Sequence, residues 1–93
     1  MAGTRRQQIA TWLQERAYTL DELVRVCGVP KAVVAEDIKH IARSVRPPRR
    51  LRVEPSRCRE CGFTFTKRGR VTDPSRCPRC RNEWISPQAF QIT

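Results

Sequence analysis

Aromatic residues make up only 6% of this 93-residue chain, histidine occurs once, and Asp plus Glu number 9. Each shortage excludes something. Few aromatics leave few platforms on which unstacked RNA bases can rest, which makes RNA the weakest of the binding readings. One histidine, sparse carboxylates and the lack of a glycine-rich phosphate loop leave no constellation for acid–base or nucleophilic chemistry, so an enzyme is not expected. No window approaches the length and apolarity of a membrane span. The basic start "MAGTRRQQIATWL" breaks into an amphipathic pattern without the apolar core and cleavage site of a signal peptide. These absences point to a cytoplasmic protein with no membrane partner, with room for one domain and a small metal-held appendage.

What the chain does have is positive charge and cysteine. Lys plus Arg number 19, for a formal net charge of +10. The charge is uneven: residues 1–45 carry seven cations against five acids, whereas residues 46–93 carry twelve against four. Such a balance favours a polyanionic partner, double-stranded DNA first.

The first half reads as three helices. Ile9, Trp12 and Leu13 recur at helical spacing between Thr4 and Arg16. In "TLDEL", Thr19 stands three residues before Glu22, the spacing of a capping box, and Leu20, Leu23, Val24 and Cys27 then form a short apolar stripe that ends at Gly28. Cys27 on that stripe reads as a buried, inert thiol. A third helix is expected from the first-turn Pro30 onward, with Val34, Ile38, Ile41 and Val45 inward and an end before Pro47 and Pro48. "RRLRVEP" then alternates as a strand, and "FQIT" closes the chain as another.

Helix, short helix, tight turn, longer helix and strand is the order of a winged helix-turn-helix. "TLDELVRVCGVPKAVVAEDIKHIARSV" resembles the helix-turn-helix of many small prokaryotic regulators. Lys31, Ala32, Ala35, Glu36, Lys39, His40 and Arg43 would then lie on or beside the outer face of the third helix. Lys31, Lys39, His40 and Arg43 are the candidate contacts there, and Lys67, Arg68 and Arg70 form a candidate phosphate-tracking tip in a later loop. Glu36 and Asp37 oppose this reading unless a nearby arginine pairs with them.

The second half holds "RCRECG" and "RCPRCR". Cys58-x2-Cys61, fifteen residues and Cys77-x2-Cys80 match the spacing of a tetrahedral zinc site. Two residues between ligands let one tight turn aim both sulfurs at one metal; Gly62 suits the turn after the first pair, and Arg81 replaces glycine after the second. Four thiolates leave no open coordination position, so Zn²⁺ here is structural, with iron of the rubredoxin type as the alternative. The bound metal and its thiolates together add two negative charges, which Arg57, Arg59, Arg76, Arg79 and Arg81 would partly offset. Trp84, Ile85, Phe90 and Ile92 follow and require a hydrophobic home. If "FQIT" pairs with "LRVE", the cysteine segment becomes an insertion at the tip of a wing; otherwise it is a free ribbon joined like a bead.

Through "RRQQIATWL", "TLDEL", "EDIKHIARS", "RCRECGFTF" and "SRCPRCRNEWI", nearly the whole chain resembles a family of small archaeal proteins described as predicted transcriptional regulators, with a winged helix-turn-helix and a rubredoxin-like zinc ribbon. The resemblance implies a zinc-bearing wing. The expected fold class is therefore α+β: three helices plus a β-hairpin wing, with a four-cysteine zinc ribbon inserted in the wing. Residues 1–55 form the first part of the winged domain, 56–85 the ribbon and 86–93 the closing strand. The expected function is DNA-binding transcriptional regulation, with helix 3 in the major groove and the basic wing on the backbone. The alternative is an interaction module docking on transcription or translation machinery. Oligomeric state is left open.

Overall fold

Thr4 caps the first helix: its hydroxyl accepts from the Gln7 amide at 3.2 Å while the Gln7 side chain accepts from the Thr4 amide at 3.0 Å. This reciprocal pair satisfies two orphan donors and starts α1 (Arg5–Glu15), which buries Ile9 and Leu13. Thr19 and Glu22 repeat the arrangement at 3.2 and 2.8 Å and start α2 (Leu20–Cys27). Gly28 ends α2 in the left-handed region, at φ 70°, with its amide on the Val24 carbonyl at 2.8 Å. Helix α3 (Lys31–Ser44) starts one residue later than the sequence predicts, with Pro30 as its cap residue rather than in its first turn. The computed structural model describes residues 4–66, 71 and 73–93.

Three antiparallel strands complete the fold in the order β1-β3-β2: β1 (Tyr18–Thr19), β2 (Leu51–Glu54) and β3 (Ala89–Ile92). The pairing of the two late runs is as expected, with Leu51 opposite Ile92 and Val53 opposite Phe90. Backbone bonds between Arg50 and Thr93, at 3.0 and 3.1 Å, extend the ladder by one more pair. β1 is too short to show in the sequence, and it forms because Tyr18 and Thr19 lie beside Phe90 and Ala89 of β3. The chain thus leaves the sheet at Glu54 and re-enters it at Ala89, with all four paired cysteines in between.

One hydrophobic cluster joins these elements. Ile9 and Leu13 of α1, Leu20 and Leu23 of α2, Val34, Ile38 and Ile41 of α3, and Phe90 and Ile92 of β3 are all buried together. Two expectations fail at its edge. Ala35, expected on or beside the outer face of α3, is buried, because the helix turns it toward the packed side. Trp84 finds no hydrophobic home: it is 59% exposed, while Phe90 and Ile92 take the core positions. Cys27 packs against the cluster half-buried, and burial pushes its thiol up.

Asp37 is the exception in polarity, at 1% exposure on the inner side of α3. It accepts from Arg5 Nε at 2.5 Å and from Arg6 Nε at 2.9 Å, both at the start of α1. Burial alone would raise its pKa, but the two guanidinium groups hold the carboxylate below its ordinary range. The fork of charges ties α1 to α3 across the top of the core.

Candidate metal centre and basic face

The two cysteine turns are built alike. In the first, the Cys58 amide donates to the Phe63 carbonyl at 2.8 Å and the Gly62 amide to the Cys58 carbonyl at 2.9 Å. In the second, the Cys77 amide donates to the Asn82 carbonyl at 2.9 Å and the Arg81 amide to the Cys77 carbonyl at 2.8 Å. The fourth residue after each leading cysteine therefore needs positive φ: Gly62 has 82° and Arg81 has 63°. Glycine adopts this freely, whereas an L side chain there costs about 1–2 kcal/mol. Arg81 takes the required conformation all the same.

The turns face each other. Cys58 Sγ lies 3.5 Å from Cys80 Sγ, Cys61 Sγ lies 3.6 Å from Cys77 Sγ, and all four sulfurs fall within 4.8 Å of one another. Sulfurs placed about 2.3 Å from one tetrahedral ion stand about 3.8 Å apart, so the cluster has the dimensions of a four-thiolate site. The leading cysteines, Cys58 and Cys77, are buried, while Cys61 and Cys80 reach the surface. Antiparallel bridges pair Arg57 with Thr64 and Cys58 with Ile85, so the first turn is held by the chain that follows the second.

Protonation of these sulfurs is divided unevenly. Burial would raise Cys77, but the amides of Cys80 and Arg79 and the thiols of Cys61 and Cys80 outweigh it and bring it down to about 7. The amide of Cys61, first among several donors, lowers Cys58. At Cys80 the Asn82 amide pulls downward, yet burial and the neighbouring thiols of Cys58, Cys61 and Cys77 push it up to about 12. Four sulfurs this close cannot all ionise unaided; a divalent cation at their centre removes the conflict. Four soft ligands, with no further His, Cys, Asp or Glu in the cluster among the described residues, suit a metal held for structure rather than for turnover.

Among the described residues, the predicted nucleic-acid contacts on α3 fall on both flanks of the helix. Lys31 Nζ is tied to Asp21 Oδ1 at 3.0 Å, which links α3 to α2. Lys39 and Arg43 line a groove between α3 and the strands, with Val53, Phe65 and Val71 opposite, and Lys39 also lies 3.8 Å from Glu36. His40 points to the other flank of α3, toward α1, with its Nε2 3.9 Å from Glu36. Lys67, Arg68 and Arg70 lie outside the described residues. Asp37, which the sequence leaves facing phosphate unless paired, is withdrawn into the core by Arg5 and Arg6.

Sequence reasoning expected a basic wing but named no contact in a denser group of cations. Arg46, Arg49, Arg50 and Arg52 are all exposed along the connection from α3 into β2. Among the described residues none of them, nor Arg43, forms an ion pair, whereas Arg5, Arg6, Arg16, Lys31, Lys39 and Arg76 do. The run "RPPRRLR" was the available signal. Of the arginines around the cysteines, Arg76 pairs with Glu83 at 3.4 Å.

Two family models divide the chain between them. Residues 4–52 match the family described as PF0610-like, N-terminal, and residues 55–93 match the PF0610 rubredoxin-like zinc β-ribbon domain. The first match ends at Arg52, inside β2, while β3, which pairs with β2 in the folded protein, lies wholly in the second. The solution NMR structure of protein PF0610 from Pyrococcus furiosus is similar over 100% of this chain and 93% of that one, with 35% identity and a TM-score of 0.77. No curated protein matches. With both models satisfied in order and a full-length structural relative, the chain belongs to the PF0610-like family, three helices and a small antiparallel sheet joined to a four-cysteine zinc ribbon.

Proposed function

We propose that the protein binds double-stranded DNA as a winged helix-turn-helix regulator whose wing, β2 and β3, carries a structural zinc ribbon. The observation that carries this reading is the set of exposed arginines without ion-pair partners among the described residues, Arg43 on α3 and Arg50 and Arg52 at the edge strand, beside a helix whose inward carboxylate is already neutralised. Unpaired guanidinium groups lose no existing contact when they meet phosphate. Lys39 and Arg43 supply the helix contacts, and Ala32, small and exposed on α3, lets the helix approach base edges. Fluorescence anisotropy with random and genomic duplexes tests the proposal. Log affinity should fall with log salt by about 0.9 per phosphate contacted, and Lys39→Gln with Arg43→Gln should weaken binding about tenfold. Absence of duplex binding at low salt overturns it.

Zinc is the proposed metal. A purified protein loaded with zinc is colourless and holds one equivalent by elemental analysis; a red, visible-absorbing protein would identify iron instead.

A second reading has its own support. Trp84 stands 59% exposed on the ribbon, and an exposed tryptophan is a frequent anchor of protein interfaces. Docking on transcription or translation machinery through this face predicts a stoichiometric protein partner that survives nuclease treatment and is lost on Trp84→Ala.

A further inference from the structure

Between α1, the end of α3 and β3 lies a second cleft, of about 360 Å³. Its floor is apolar: Ala10 of α1, Ile41 and Val45 at the end of α3, and Ile92 of β3, with Ile41 and Ile92 each 5% exposed. Its rim is cationic. Arg46 and Arg49 sit at the two ends of a reverse turn closed by the Arg49 amide on the Arg46 carbonyl at 3.0 Å, with Pro47 and Pro48 between them. The proline rings preset that backbone, so the two arginines are held on one side of the cleft at little further entropic cost. Both are exposed, and among the described residues neither has an ion-pair partner and no carboxylate lines the cleft. The third arginine of the lining, Arg6, is already committed to Asp37.

An apolar floor beside two free guanidinium groups is complementary to a particular kind of molecule. We propose that this cleft binds a small amphipathic organic anion, its apolar body on Ala10, Val45 and Ile92 and its carboxylate or phosphate held by Arg46 and Arg49. Planar, multi-donor guanidinium groups suit either head, and the volume lies at the lower end of the usual range for small-molecule sites. A buried apolar floor distinguishes it from a simple patch of charge, which would hold an inorganic anion equally well. The inference does not rest on the nucleic-acid reading: Lys39 and Arg43 line the groove on the opposite flank of α3.

Amide-resolved NMR titration of the zinc-loaded full chain tests it with three probes: phenyl phosphate, inorganic phosphate and benzyl alcohol. Phenyl phosphate should shift the amides of Ala10, Ile41, Val45, Arg46 and Arg49 saturably and bind about tenfold more tightly than either half-probe. Arg46→Gln with Arg49→Gln should remove that preference, and Gln14→Glu, which places a carboxylate on the rim without touching the core, should weaken phenyl phosphate severalfold. Arg52→Gln, on the edge strand, should leave it within about twofold. Equal binding of inorganic phosphate, shifts centred on Lys39 and Arg43, or an equal loss in the Arg52 variant would each overturn the proposal. So would sedimentation showing self-association that protects these same amides. No outcome depends on DNA, so a protein that fails the duplex assay can still pass this one.

Discussion

Ten apolar side chains from α1, α2, α3 and β3 form a single buried cluster, whereas between β2 and β3 the buried described residues are Ser56, Cys58, Cys77 and Gln88. The first region is held by hydrophobic burial and the second by the ligands of a metal. Phe63 and Phe65 meet edge-to-face at 5.0 Å in the ribbon, but both stay half-buried. A segment of this size cannot bury enough apolar surface to hold itself, and the thiolate–metal bonds replace the missing core. The same contrast appears in the acids and bases: Asp37 is paired inside the helical region, while most arginines of the edge strand and ribbon are left exposed.

Metal removal is the most forceful way to break the comparison. Metal binding contributes about 10–16 kcal/mol in small zinc-held peptides, so a strong chelator or Cys77→Ser should unfold the ribbon. Helical ellipticity at 222 nm should persist, because the buried cluster contains none of the four ligands. Concerted loss of both signals would show that the two regions are one cooperative unit. The reverse test is Phe90→Ala, which empties a core position supplied by the strand after the ribbon and should cost about 3–5 kcal/mol in urea denaturation. Metal content should be unchanged.

The charged fork gives a smaller, asymmetric effect. Replacing Arg5 and Arg6 together by alanine strands a buried carboxylate, at a cost of up to about 3–5 kcal/mol. Asp37→Asn should cost less, because the guanidinium groups it frees are 40% and 47% exposed and can be rehydrated. The pH dependence follows in sign: Asp37 has a folded pKa below its unfolded value of about 4, so its stabilisation is present above that value and is lost as pH falls through the folded one. The gap in urea midpoint between the native protein and Asp37→Asn should therefore close on acidification, and a gap that persists at low pH would assign the effect to packing.

The smallest test compares the two cysteine turns. Gly62→Ala should weaken the ribbon by about 1 kcal/mol and Arg81→Gly should strengthen it by a similar amount, since both positions have positive φ and only one is glycine. Melting temperatures of the zinc-loaded proteins measure both. Equal and opposite shifts would confirm that the turns are structurally equivalent despite their different residues.

Features set by near neighbours were legible in the sequence. The Thr19–Glu22 capping box covers four residues, the left-handed stop at Gly28 needs one, and each cysteine turn closes within five; the Thr4–Gln7 box has the same spacing but came to light only in the structure. Their physics is local, so residue type and spacing suffice to find them. The four-cysteine cluster was legible for the same reason, as two copies of one local turn. Ala35 and Trp84 were misplaced because amphipathic spacing leaves the border of a helix face undefined, and because apolarity alone does not say which of several candidates will fill a core of limited volume.

By itself the sequence determined where helices begin and stop to within about a residue, that the chain is strongly basic, and that four thiols can hold one metal; each follows from charge, periodicity or spacing within a few residues. Only the tertiary structure decided which charges are free. It took Asp37 out of reach through arginines more than thirty positions away, bound Lys31 to Asp21, and left Arg43, Arg46, Arg49, Arg50 and Arg52 without ion-pair partners among the described residues. The reason is the reach of each interaction: a cap or a metal turn is complete within its own stretch of chain, while the availability of a cation depends on which distant carboxylate the fold brings to it.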